Sequence, residues 1–257
     1  MFKARNYVKA ASLEEAYELN QKKSTLVIGG MLWVKMANYT KMTVVDLSGL
    51  GLDKIEETEE AFRIGCMTTL RALELHDGLN SFSCGVMKEC TRHIVGVQFR
   101  NSATVGGSIY GRYGFSDLLT AFLAFDTEVE LYKGGIVSLR EFAQMPYDND
   151  ILVRIILKKT PRKAAYVSQR QTKTDFPLIA VAVSQQDKQW VVSVGARPSR
   201  AKAIQAEDLP DRERLIETIV SQYDFGSNLR AGKEYRRDLA KIYIRRLMEQ
   251  IEEGSIG

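Results

Sequence analysis

Residues 103–117 read ATVGGSIYGRYGFSD, and residues 26–33 read LVIGGMLW. Each stretch sets a Gly-Gly pair beside a short apolar run of the kind that forms a buried strand. A glycine pair lets backbone approach a ligand with no Cβ in the way, and turn amides that point the same way form a concave nest for phosphate oxygens. Two such loops can hold a diphosphate between them. Thr104 and Ser108 add hydroxyl donors, and Asp117 is a carboxylate acceptor for sugar-like hydroxyls. Each charge-assisted hydrogen bond of this type contributes about 1.5–3 kcal/mol, so several together retain a ligand tightly. One Gly-Gly pair alone reads equally well as a plain turn. Two of them, with Ser116-Asp117 behind the second, point to a binding site.

Outward from the first pair, Ser12 and Glu15 have capping-box spacing, and Leu13, Ala16, Tyr17 and Leu19 share a helical face, which predicts a helix over 12–21. Thr25–Ile28 then reads as a buried strand that stops at Gly29-Gly30. A second strand, Thr43–Leu47, runs into a glycine-rich turn at 48–51. From residue 62 to 157, short strands (62–64, 129–132, 151–157) alternate with helical stretches (69–77, 117–125). Past the basic stretch 158–163, the runs 178–184 and 190–194 flank a polar turn and predict an antiparallel hairpin. Helical patterns over 211–222 and 231–252 follow. The expected fold is therefore α+β: a two-lobed α/β region, 1–55 and 56–158, followed by an antiparallel sheet with helices, 159–257.

Composition excludes several function classes. The 257 residues are 45% hydrophobic and 26% charged, an ordinary globular balance, and 36 basic against 32 acidic side chains give only +4, with no bias toward nucleic acid. Charges arrive too early in the first twenty residues for a secretory signal, and no apolar run is long enough to span a bilayer, so a cytoplasmic protein without a membrane partner is expected. Cys66, Cys84 and Cys90 contain no close pair suited to zinc or an iron-sulfur cluster, which places any metal centre on another chain. His93 does not complete a familiar metal spacing with Cys84 and Cys90; a buried thiol pair and a surface histidine are expected. GLGLDK (49–54) has Lys54 where a dinucleotide fingerprint needs its third glycine and reads as a plain loop. His76, Asp77 and Gly78 read as a helix end. Arg236, Arg237, Lys241, Arg245 and Arg246 recur at helical spacing among acidic residues, as on a solvated or partner-facing helix surface.

With its lead-in, the second stretch is QFRNSATVGGSIYGRYGFSD, from Gln98. It resembles the flavin-binding signature of the FAD subunit of molybdenum hydroxylases, the xanthine dehydrogenase and carbon monoxide dehydrogenase family. That signature runs Arg-Asn, Ala-Thr, a small apolar residue, Gly-Gly-Asn and a later Ser-Asp. LVIGGMLW resembles the family's other cofactor loop. DILVRI (150–155), AYVSQRQTKTDFPLIAVAV (from Ala165) and SNLRAGKEYRRDLAKIYIRRL (227–247) extend the likeness, in order, nearly end to end.

The resemblance implies an FAD-binding fold of the PCMH (vanillyl-alcohol-oxidase-like) type. It implies that Leu26, Val27, Ile28, Gly29, Gly30, Met31, Leu32 and Trp33, with Thr104, Val105, Gly106, Gly107 and Ser108, wrap the FAD diphosphate, Gly111 belonging to the same signature. Asp117 would bind a ribityl or ribose hydroxyl, Ile94 would lie against the flavin ring, and Ile151, Leu152 and Tyr166 would line the isoalloxazine pocket. Four positions depart from the pattern: Met31 and Leu32 replace Thr and an acidic residue, Ser108 replaces Asn, and Val167 stands where Lys often follows the aromatic. Arg112, in a position that is usually small, is expected to compensate as a phosphate partner. No side chain is expected to be a general acid or base. The implied role is electron transfer: FAD receives electrons from an iron-sulfur subunit, fed by a molybdenum-cofactor catalytic subunit, and passes them to NAD or another acceptor. Two other readings stand beside it, an autonomous flavin oxidoreductase and a non-catalytic assembly subunit whose FAD loops have decayed.

Overall fold

A computed structural model describes residues 1–254. Its first sheet is parallel, with β1 (Lys3–Lys9), β3 (Thr40–Asp46) and β2 (Thr25–Ile28) side by side in that order. Helix α1 (Leu13–Asn20) precedes β2. The Ser12 hydroxyl accepts from the Glu15 amide at 3.1 Å, and the Glu15 carboxylate accepts from the Ala11 amide at 2.7 Å, so the expected cap forms. β2 is an edge strand, and the first Gly-Gly pair leaves from its end.

The second sheet is antiparallel, in the order β4 (Ile55–Glu57), β5 (Ala61–Gly65), β8 (Leu152–Lys158), β6 (Thr127–Leu131), β7 (Gly135–Ser138). Short helices fill the span between β5 and β6: α2 (Leu70–Leu75), α3 (Asp77–Phe82), α4 (Val86–Thr91), α5 (Val97–Arg100), α6 (Val105–Tyr110) and α7 (Asp117–Phe122), and α8 (Leu139–Gln144) lies between β7 and β8. The helix expected over 69–77 divides at His76. This residue closes α2, and its Nδ1 accepts from the Leu79 amide at 3.1 Å, so it also caps the start of α3.

The third sheet, β12 (Lys202–Glu207), β11 (Gln189–Gly195), β10 (Ile179–Gln186), β9 (Lys163–Gln169), contains the expected hairpin as β10–β11 and carries α9 (Arg212–Val220) and α10 (Lys233–Glu253) on one face. This sheet separates two cores. Tyr166, Ala180 and Ala182 face the larger core of the first two sheets, whereas Ala165, Val167, Val181 and Trp190 pack with Ile216, Ile244 and Met248 of α9 and α10. The period-two alternation of β9 assigns each side chain its face.

The basic run on α10 divides. Lys241 and Arg245 pair with Glu217 and Glu213 of α9 at 2.6 and 2.5 Å. Arg236 departs from the expected solvated face: it is 1% exposed and donates to the Ala196 carbonyl and the Asn228 side chain. The thiol pair is also not uniformly buried, since Cys90 is inside the larger core while Cys84 and His93 are half-buried. Among the described residues no three His, Cys, Asp or Glu side chains are grouped to hold a metal ion, and no helix is long and apolar enough to cross a membrane.

Candidate cofactor-binding site

One long cavity of about 630 Å³ runs along the free edge of β2, from Lys22 and Lys41 past the 29–33 turn to Ile94, Phe99 and Phe176. That volume lies within the range of small-molecule and cofactor pockets. The first two sheets and the loop that joins β9 to β10 of the third contribute to its wall. Leu26, Val27, Ile28, Gly29, Gly30, Met31, Leu32 and Trp33 line it, as do Ile94, Thr104, Gly106, Gly107, Ser108, Gly111, Asp117, Ile151 and Leu152. Three expected site residues, Val105, Tyr166 and Arg112, are not on the wall.

The two glycine loops touch. A Cβ on Gly29 would lie 2.3 Å from Thr104 Oγ1, and one on Gly30 would lie 1.9 Å from the Ser102 carbonyl oxygen, so only glycine lets the first loop rest directly on the second. Their amides are used differently. In the second loop Val105 N–H donates to the Thr68 carbonyl and Gly106 N–H to the Cys66 carbonyl, both at 2.8 Å. Gly107 N–H donates to Thr104 Oγ1 at 3.1 Å and Ser108 N–H to the Thr104 carbonyl at 3.2 Å. That loop is the capped start of α6 and keeps no free amide there for a phosphate. In the first loop, the amides of Gly30, Met31, Leu32 and Trp33 have no protein acceptor among the described residues. Met31 sits in the left-handed region at φ 57°, the break in handedness that turns successive amides into a nest. The expected two-sided amide cradle is therefore one-sided: the 29–33 turn supplies main-chain donors, and the second loop supplies the Ser108 hydroxyl and a packed floor.

Asp117 follows the Ser116 cap of α7 and is 5% exposed. Its Oδ1 accepts from Tyr166 Oη and from Arg170 Nη2, each at 2.5 Å, and its own backbone amide also bonds to the carboxylate. Burial pushes the Asp117 carboxyl upward, against the pull of Arg170 and Tyr166. Tyr166 stands behind the wall, bonded to Asp117, and burial raises its own hydroxyl well above the ordinary value. Beside Gly106, burial pushes the Cys66 thiol up to about 12, so it stays protonated at neutral pH.

Arg112 packs into the fold. It is 1% exposed, adopts φ 43°, donates to the Met145 and Pro146 carbonyls at 2.7 and 3.1 Å, and stacks its guanidinium 4.1 Å from the Phe142 ring centre. Aromatic faces and two carbonyls hold the guanidinium behind the cavity wall, where its Nε and Nη2 are buried without a partner among the described residues. Val167 lies on the opposite face of β9 from Tyr166, in the second core, so a lysine missing there removes nothing from the cavity.

The cavity wall also includes Arg170, Asp175 and Phe176, which the sequence does not mark as site residues, and Phe176 joins Trp33 in an aromatic end. Trp33 stacks on Phe176 at 5.3 Å and 29° and meets Phe99 and Phe115 edge-on, and Phe115 meets Phe176 at 4.5 Å. Arg170 also donates to the Asp175 carbonyl. The Phe176 amide and Arg230 hold the Asp175 carboxyl below its ordinary range. These residues follow β9 and were inside the quoted stretch from Ala165, but nothing in their local pattern shows that the chain folds back over the cavity.

A one-sided anion nest, a buried carboxylate and an aromatic end, joined in one cavity, define a site for a dinucleotide-sized cofactor. Residues 1–159 match the family model described as the FAD binding domain in molybdopterin dehydrogenase, and the chain belongs to that family, with FAD as its cofactor. It is 26% identical over 243 residues to the uncharacterised protein YgfM of Escherichia coli strain K12, covering 91% of both chains. It is 25% identical over 277 residues to the nicotine 6-hydroxylase medium subunit of Paenarthrobacter nicotinovorans, covering 97% of both. In fold it is similar to a chain of carbon monoxide dehydrogenase from Hydrogenophaga pseudoflava, with a TM-score of 0.85, 16% identity, and coverage of 96% of this chain and 97% of that one.

Proposed function

We propose that this chain is the FAD-bearing electron-transfer subunit of a molybdenum hydroxylase complex. An iron-sulfur subunit supplies electrons, a molybdenum-cofactor subunit oxidises the substrate, and NAD is the terminal acceptor. The observation that carries the reading is the run of amides at Gly30–Trp33, unpartnered among the described residues, on the wall of one cavity that Ser108 and Asp117 also line. The turn's amides bind the diphosphate, the Asp117 carboxylate accepts from a ribityl or ribose hydroxyl, and Ile94, Ile151 and Leu152 bound the ring. Bound FAD supplies a couple that can be filled one electron at a time and emptied two at a time, which joining iron-sulfur carriers to NAD requires. The protein's own part is to hold, orient and shield that group. The division at 1–55, 56–158 and 159–257 belongs to the same proposal, since each part holds one sheet.

Purification under native conditions tests this. The expected result is yellow protein absorbing near ~370 and ~450 nm, copurifying with an iron-sulfur chain and a molybdenum chain and reducing NAD only in that complex. Colourless protein that takes up no FAD would replace the proposal with the assembly-subunit reading. Steady turnover by the isolated chain would replace it with the autonomous oxidoreductase.

A further inference from the structure

Arg100 lies in the Arg-Asn lead-in of the second glycine loop but not on the cavity wall. It is 5% exposed and ends α5, and its Nε and Nη2 donate to the two carboxylate oxygens of Glu74 on α2 at 2.8 and 3.4 Å. Glu74 is 6% exposed and also pairs with Arg71 at 3.0 Å. Burial would raise the Glu74 carboxyl, but the hydrogen bonds from Arg100 and Arg71 outweigh it and hold the group below its ordinary value, so the pair is charged at neutral pH. The remaining arm of Arg100, Nη1, donates to the Ile94 carbonyl at 3.2 Å.

That third contact falls on the wall. Ile94 and Val95 both line the cavity, and Val95 is held at φ 51°, among the least favourable conformations for a β-branched residue. Such a residue persists only where its surroundings over-determine it. Here the Ile94 amide is tied back to the Thr91 carbonyl at 2.9 Å, the Arg100 amide to the Gly96 carbonyl at 3.1 Å, and the Arg100 guanidinium to the Ile94 carbonyl, so the 94–100 turn is closed from both sides. Glu74 neutralises the guanidinium, so its influence on the cavity is one of geometry more than of field.

We propose that Arg100, braced by Glu74, is the positioning residue that fixes the Ile94–Val95 wall against the flavin ring and thereby sets the flavin's reduction potential. The inference rests on the FAD reading above. Main-chain groups beside the ring change the relative stability of its oxidised and reduced forms, and they do so reproducibly only when held to a fraction of an ångström.

The test compares FAD-loaded wild type with Arg100→Lys, which keeps a charge for Glu74 but cannot reach Glu74 and the Ile94 carbonyl together. The control is Arg71→Ala, which removes the other Glu74 partner and leaves Ile94 untouched. Arg100→Lys is expected to shift both the visible flavin band and the reduction potential, because the wall that Arg100 holds through the Ile94 carbonyl is released. Arg71→Ala is expected to move neither of these. Should Arg100→Lys fail to fold, Val95→Gly carries the test, because glycine frees the same wall at no steric cost and is expected to shift the potential without lowering Tm. Wild-type potential and spectrum in folded Arg100→Lys, or in Val95→Gly, would overturn the inference, as would equal shifts from Arg71→Ala. Wild-type protein that binds no FAD would overturn it together with the functional reading, a result distinct from flavin-loaded wild type beside an unmoved variant.

Discussion

The two glycine loops look alike in sequence and differ in what their backbones do. After Ile28 the chain turns through Gly29-Gly30 and leaves four successive amides, Gly30 to Trp33, without a protein acceptor among the described residues; after Thr104 it enters α6, and every amide from Val105 to Ser108 is bonded inside the fold. Glycine therefore serves two purposes here. In the first loop it permits close approach to the second, with the left-handed turn at Met31 opening the nest. In the second loop Gly106 permits close packing, since a Cβ there would meet the Cys66 carbonyl at 2.6 Å. A Gly-Gly motif indicates proximity, and only the hydrogen-bond partners reveal whether a ligand or the protein occupies the space.

Gly30→Ala should break the comparison most severely. Its methyl would meet a main-chain carbonyl, which cannot move aside as a flexible side chain can, so the 29–33 turn must lift from residues 102–104. FAD affinity is expected to fall on the order of a hundredfold, the loss of one or two charge-assisted hydrogen bonds, with stability lower by about 1–3 kcal/mol from overpacking. Flavin titration with thermal melts of the apoprotein checks both, and near-wild-type affinity would show that the nest is not the diphosphate site.

Thr104→Val has a smaller effect of the opposite kind. The substitution keeps shape against Gly29 but removes the oxygen that caps the Gly107 amide. About 1 kcal/mol of stability should be lost, a fall in Tm of about 2–4 °C for a chain of this size, with little change in FAD affinity. A large loss of affinity at unchanged Tm would make the second loop a ligand cradle after all.

The elements legible in the sequence were those whose burial is periodic. α1, β2, the β10–β11 hairpin and α10 each present an apolar face to a core, and their residue patterns record it. β1 was not legible: KARNYVK is an edge strand exposed along nearly its whole length, so pairing with β3 fixes its conformation without leaving an alternation to read. The short helices α3 to α5 have too few turns to show a period. At the site, the residues on the two glycine loops and Asp117 were legible because local chemistry marks them. Arg170 and Phe176 were not, because they reach the cavity only through the return of the third sheet across it. Arg112 illustrates the complementary limit: a cation near a suspected phosphate site invites pairing, and only the fold shows its contacts with the Phe142 face and the 145–146 carbonyls.

Met31→Gly should produce the smallest effect and sharpens the comparison most finely. If the nest consists of backbone, the side chain at its left-handed residue contributes only strain. That strain is about 1 kcal/mol for a non-glycine residue, and glycine removes it while adding a similar loss of chain entropy on folding. Stability should therefore change by less than about 0.5 kcal/mol, and FAD affinity should stay within roughly twofold, since the amides from Gly30 to Trp33 keep their directions. The departure of Met31 from the threonine expected at this position would then have no consequence for cofactor retention. A tenfold loss of affinity in the same titration would instead place the Met31 thioether in contact with the cofactor and return the first loop to a site defined by its side chains.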